Sequence, residues 1–242
     1  MKEWISGRNP VYECLRAGRR HFFRLLLAEG IDRSERVDEI LSLAARRKLA
    51  PERTNRAMLD GLANNHQGMA LQASAYPYAL LEDILTLSET KNEALLMLVL
   101  DQIQDPQNLG ALIRSAEVFG AHGILLPPSR SAGITPAVVQ ASSGASELLL
   151  IAQANLALAM NAVKERNAWV IGLDMDTQSQ PLSQTSLTGP IALVVGSEGA
   201  GLRRLVRERC DLIAHIPMKG RVASLNAAVA GSIALYHAAV QR

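Results

Sequence analysis

The chain is predicted to be an α/β protein with a mostly parallel sheet covered by helices, on three observations. Apolar runs and helical patterns alternate along most of its 242 residues. The run ALLMLVL at 94–100 is continuously apolar, as a strand buried on both faces of a parallel sheet must be. Two further runs, IALVV at 191–195 and LIAHI at 212–216, lead into glycine-bearing turns, GSEGAG at 196–201 and MKGRVASLN at 218–226. Open α/β sheets hold ligands beyond the carboxyl ends of their strands, so these turns are where a cofactor is expected.

The length suits one large or two modest domains. Hydrophobic residues at 48% and charged residues at 20% describe a compact soluble chain and exclude a disordered one. No apolar run approaches the roughly 20 residues that span a bilayer, and the N-terminal MKEWISG lacks the apolar core of a signal peptide. A cytoplasmic protein with no membrane partner is expected. Cys14 and Cys210 stand far apart without ligand spacing and read as free thiols. The five histidines form no HExxH pattern, so no metal site is expected. Net charge is +2, with 13 Lys+Arg against 9 Asp+Glu up to Ala75 and 12 against 14 thereafter. That small basic excess suits either a solvated surface or contact with nucleic acid.

In order, Pro10 opens a short helix that stops near Gly18. Residues 22–28 read as a strand. Residues 35–48 place Val37, Ile40, Leu41 and Ala44 at helical spacing and end in Arg46, Arg47 and Lys48, which suit a helix C-terminus as well as RNA. A short helix at 55–62, a polar turn holding His66 and a strand at 69–73 complete an α/β domain over 1–75. The bland reading of His66 as a loop residue is favoured. Residues 76–93 read as a linker with one short helix at 80–87, and 94–242 as the second domain. There, Asp105 suits a helix N-cap, Pro106 the first helical position and Gly120 the C-terminal cap. Strands at 123–126, 148–151 and 169–173 alternate with helices at 135–142 and 155–165, and an Ala-rich helix closes the chain from 225 to 241.

Three segments stand out together: NLGALIR at 108–114, VGSEGAGL at 195–202 and IPMKGRVASLN at 216–226. In order and spacing they resemble the three motifs of the SpoU (TrmH-type) RNA ribose 2′-O-methyltransferases of the SPOUT superfamily. The N-terminal SGRNPV at 6–11 and HQGM at 66–69 resemble the small substrate-binding domain of the bacterial enzymes that methylate a guanosine of large-subunit (23S) rRNA. The resemblance therefore covers the whole chain. It implies a SPOUT-type catalytic domain with a trefoil knot, S-adenosylmethionine as cofactor, structured RNA as substrate and a homodimer. Nothing in periodicity shows a knot, and chains as a rule avoid them.

By position, the resemblance assigns cofactor contacts to Gly196, Ile216 and Leu225. It assigns the polar motif positions to Asn108, Arg114, Glu198, Ser224 and Asn226. Arg114 corresponds to the arginine proposed in the family to help deprotonate the hydroxyl. A guanidinium is protonated at all ordinary pH, so charge stabilisation or orientation of the 2′-oxygen or a phosphate weighs at least equally. Glu198 also suits a helix N-terminus, and Ser224 suits an N-cap of the last helix. Ala228 departs from the serine often found in relatives. The rivals are weaker: GxxGxG falls late in the chain, unlike the early GxGxxG of a dehydrogenase, and GxxxxGK[ST] is absent. A tRNA methyltransferase and a non-catalytic ribosome-assembly factor of the same fold remain as alternatives.

Overall fold

A computed structural model describes residues 1–176, 179–222 and 224–242. In chain order the first elements are β1 (Lys2–Ser6), α1 (Arg8–Ala17), β2 (Phe22–Ala28), α2 (Glu35–Arg46), β3 (Pro51–Thr54), α3 (Arg56–Asp60) and β4 (Met69–Ser74). Next come α4 (Leu81–Thr90), β5 (Leu96–Leu100), α5 (Pro106–Val118), β6 (Gly123–Leu126), α6 (Pro136–Ala141), β7 (Leu150–Gln153) and α7 (Leu156–Glu165). The chain closes with β8 (Trp169–Leu173), β9 (Gln180–Pro181), β10 (Ile191–Val195), α8 (Arg204–Glu208), β11 (Leu212–His215) and α9 (Ala227–Gln241). Two compact units result. One is Met1–Pro77 with Gly133–Leu148, the other Tyr78–Ala132 with Leu149–Arg242.

The first unit holds a four-stranded mixed sheet in the order β1-β4-β2-β3. Two of its strands carry no pattern that periodicity could detect. β1 is five residues long and pairs antiparallel with β4; β3 opens on a proline, has three exposed residues of four and pairs with β2 at the sheet edge, where a proline costs no ladder bond. Residues 133–148 join this unit through a buried ion pair. Glu147 accepts from Arg20 Nε at 3.0 Å and from Nη2 at 2.7 Å, with neither side chain exposed. Burial opposes the Arg20 charge, yet the hydrogen bonds to Glu147 leave its pKa raised overall. Beside it, the Tyr76 hydroxyl donates to Ser146 O at 2.9 Å. The grouping differs from the expected boundaries 1–75, 76–93 and 94–242, because partners 127 residues apart are invisible to a local pattern.

The second unit is built on seven strands in the order β7-β6-β5-β10-β8-β11-β9, with every described pairing parallel. All residues of β5 and β10 are buried, as the apolar runs required. On one face Met97, Val99, Val170 and Val194 pack with Ile84 and Leu85 of α4 and with Met160 and Val163 of α7. The expected linker helix is thus part of this core. Val195 points to the other face, against Gly231 of α9, where an added Cβ would lie 2.4 Å from Leu112 of α5. That close approach lets α5 and α9 pack side by side, with Ser115 and Ser232 hydroxyls 2.7 Å apart.

Both cysteines are free; burial pushes the Cys14 thiol pKa well up and that of Cys210 to about 12. Among the described residues no helix is long and apolar enough to cross a membrane.

Candidate active site

The turn after β10 is folded back on itself. Gly201 N–H donates to Ser197 O at 3.0 Å, and the two residues form a bridge. A Cβ on Gly196 would sit 2.3 Å from the Gly201 carbonyl, so only glycine fits there, while Gly199 at φ +82° and Gly201 at φ +65° need glycine for the left-handed turn. The loop is fixed from its far end by an acid that the periodicity did not flag. Asp101, fully buried at the end of β5, accepts from Arg203 N at 2.8 Å and Nε at 2.6 Å.

Beneath this loop lies a cavity of about 480 Å³ at the carboxyl ends of β8, β10 and β11. Five of the eight sequence-selected residues line it: Gly196, Glu198, Ile216, Ser224 and Leu225. Leu173, Val195 and Ala214 add apolar wall, and Asp174 and His215, which sequence reasoning passed over, add polar groups. Asp174 directly follows β8 and pairs with Arg207 at 2.9 Å; Arg207 also pairs with Asp176. His215 Nδ1 lies 2.9 Å from Ser179 Oγ. Acids immediately following strands, Asp101 and Asp174, were the available signal.

A second cavity of about 320 Å³ shares Ser197, Glu198 and Ala227 with the first and extends to Gln102, Asp105 and Asn108. Asn226 ties the two together. Its Nδ2 donates to Asn108 Oδ1 at 2.9 Å and to Glu198 Oε2 at 3.3 Å, while its Oδ1 accepts from Ala228 N at 2.9 Å and Val229 N at 3.3 Å. With both ends committed, the amide orientation is determined by its partners. Asn226, not Ser224, is therefore the N-cap of α9, which starts at Ala227 rather than 225. Asn108 is held in turn by its own backbone, which donates to the capping carboxylate of Asp105 at 2.9 Å. Ala223, within the third motif, lies outside the described residues.

Two selected residues line neither cavity: Asn226, which bonds to the lining residues Asn108 and Glu198, and Arg114. Arg114 is exposed on α5, six residues beyond Asn108 and so turned to a different face of the helix.

Three motif segments from distant parts of the chain thus converge on one edge of one sheet. The match to known proteins is correspondingly broad. Residues 95–236 match the model of the SpoU rRNA methylase family, and residues 4–79 match that of the RNA 2′-O ribose methyltransferase substrate-binding domain. This chain belongs to the SpoU methylase family. A Bacillus subtilis protein, YacO, assigned to the TrmH family of tRNA/rRNA methyltransferases, is 38% identical over 97% of this chain and 94% of its own length. Among solved structures, the SpoU methyltransferase AviRb of Streptomyces viridochromogenes, in complex with AdoMet, is similar over 100% of this chain and 90% of its own, with a TM-score of 0.83 at 25% identity. The TrmH/SpoU tRNA-modifying enzyme of A. aeolicus is similar over 67% of this chain and 84% of its own, with a TM-score of 0.57 at 27% identity. The SpoU assignment and the α/β fold expected from the sequence both hold.

Proposed function

We propose that this SpoU-family protein transfers the methyl group of S-adenosylmethionine to a ribose 2′-hydroxyl of structured RNA. The observation that carries the reading is the Asn226 amide, which joins Asn108 to Glu198 where the two cavities meet. The larger cavity fits the cofactor: its volume is in the range of small-molecule sites, and its walls are mostly apolar with a few polar side chains, Asp174, Glu198, His215 and Ser224 among them. Bound there, S-adenosylmethionine supplies an activated methyl group. Gly196, Ile216 and Leu225 are assigned to hold it and Glu198, with Ser224, to shape the end nearest the second cavity. That second cavity suits the target ribose, with Asn108 and Asn226 fixing its position. Placement of this kind contributes about 7–11 kcal/mol in well-oriented reactions. The trefoil knot belongs to the same reading, since it would bring the two glycine-bearing loops around one ligand.

A homodimer is part of the proposal. Ala111, Ser115, Phe119, Val229, Ile233 and Tyr236 line an open apolar groove across α5 and α9, with Phe119 and Tyr236 rings 5.8 Å apart edge to face. Val229, Tyr236 and Val240 are 47%, 58% and 66% exposed along the same helix, more than a lone monomer face needs. A second copy presenting the same apolar face is the occupant assigned to it. Arg114 lies one turn from Ala111 and Val118 on α5 and is assigned to the assembled dimer, where its fixed charge stabilises the developing 2′-oxyanion or a neighbouring phosphate.

Large-subunit rRNA, at a guanosine, is the preferred substrate, and the cytoplasm the place of action. The domain at 4–79 supports this, because the A. aeolicus tRNA-modifying enzyme matches only two thirds of the chain. Transfer of labelled methyl to unmodified rRNA transcripts, with mapping of 2′-O-methyl sites in cells with and without the gene, tests the reading. Loss of one rRNA methylation without the gene is expected. Loss in tRNA would redirect the substrate, and unchanged methylation in both would reject the activity.

A further inference from the structure

The sheet edge that carries the two cavities continues into a third, of about 430 Å³, beyond the carboxyl ends of β6 and β7. Its floor is apolar, with Pro127, Leu156 and Val206 buried. Its rim carries Ser129, Leu205 and Arg204. Leu205 is 59% exposed and so offers an aliphatic surface beside the pocket.

The charge around it is one-sided. Residues 203–209 contain four arginines and a single acid, Glu208. Three of the four have firm partners: Arg203 with Asp101, Arg207 with Asp174 and Asp176, and Arg209 with Asn161 at 3.3 Å. Among the described residues Arg204 pairs only with Glu208, at 3.5 Å and one helical turn away, with its own side chain 84% exposed. An exposed pair of that kind is worth a few tenths of a kcal/mol, so the guanidinium is free to exchange the carboxylate for a stronger anion. Arginine binds phosphate through two parallel N–H groups, and an aliphatic surface beside it accepts the face of a base.

We propose that this pocket is an RNA subsite, which takes a nucleotide flanking the methylated one, its base on Leu205 and the apolar floor and its phosphate on Arg204. The inference rests on the RNA methyltransferase reading and adds a contact that the three motifs do not contain. It also gives α8 a role: Asp101 fixes Arg203, which holds the cofactor-side loop behind it and presents Arg204 to the strand ahead of it.

The test is binding of a fluorescein-labelled RNA stem-loop of mixed sequence, by anisotropy over a series of KCl concentrations, to the full-length protein and to Arg204→Ala, Arg204→Lys and Leu205→Asp. Arg204→Ala should weaken binding about tenfold near physiological salt and lower the slope of log Kd against log[KCl] by about one. Arg204→Lys should keep the slope but not the full affinity, and Leu205→Asp should weaken binding as well. Calorimetric titration with S-adenosylmethionine, expected to be unchanged in all three, shows that the fold and the first cavity are intact. RNA binding with an unchanged slope in Arg204→Ala would overturn the subsite alone. No RNA binding by the unmodified protein would overturn the functional reading and the subsite with it.

Discussion

Replacing Gly196 by alanine tests whether the loop after β10 is packed as tightly as the structure has it. Gly196 does not adopt a positive φ, so the alanine backbone is permitted and the cost is purely steric. The new methyl carbon would lie 2.3 Å from both C and O of Gly201 and 2.7 Å from Leu202 N, about an ångström short of ordinary contact in each case. All three atoms are backbone and none can rotate away. The loop must therefore open by about an ångström, which strains the Ser197–Gly201 bridge and costs about 1–3 kcal/mol, the usual range for overpacking. Because Gly196, Glu198 and Gly201 also line the larger cavity, the same shift should weaken S-adenosylmethionine binding at least tenfold and slow methyl transfer by roughly 10². Gly199→Ala is the control: nothing lies within 4 Å of its Cβ, and its φ of +82° should cost only about 1–2 kcal/mol of backbone strain. Titration calorimetry and thermal melting of both variants give the comparison. Wild-type affinity and melting temperature in Gly196→Ala would refute the close packing of the loop.

Three further outcomes are expected. Glu147→Ala strands the buried Arg20 with Glu3 as its remaining acid and should destabilise the first unit by about 3 kcal/mol in urea unfolding; a change under about 1 kcal/mol would mean that the pair is solvated. Burial holds the pKa of His122 below its ordinary 6.5, with Nδ1 accepting from Leu96 N and Nε2 left to donate to Glu93. The unfolded chain then takes up the proton first, so stability present above pH 6.5 is lost as pH falls from there through the folded value, and His122→Gln should flatten that slope. Finally, if Arg114 serves the partner's site, mixing Arg114→Ala and Asn226→Ala protomers should restore about a quarter of the activity, since half the dimers are mixed and each has one complete site; no restoration would place Arg114 in its own chain's site.

What the sequence revealed of the fold follows from how each element is buried. β5 and β10 are covered on both faces, so their solvent-free environment is written into consecutive apolar residues. β3 and β9 lie at sheet edges with polar or proline residues, and their existence depends on a neighbour rather than on their own side chains. The segment 133–148 shows the same limit at a larger scale: Glu147 looks like any helix-turn glutamate until Arg20 is found opposite it.

The candidate site was legible where its chemistry uses the backbone. Glycines at 196, 199 and 201 announce a close approach and a left-handed turn, and the structure has both. Asn108, Glu198 and Asn226 were selected as separate polar positions; what the fold adds is that one amide joins them, so that α9 cannot be capped without also anchoring the first and second motifs. Arg114 is the instructive exception. A helix that gives Leu109, Leu112 and Ile113 to the core turns Arg114 outward, on a different face from Asn108. In the proposed function Arg114, exposed on a helix beside the apolar groove across α5 and α9, acts on the RNA or on the site of a second protomer. The mixed-protomer experiment separates those two assignments.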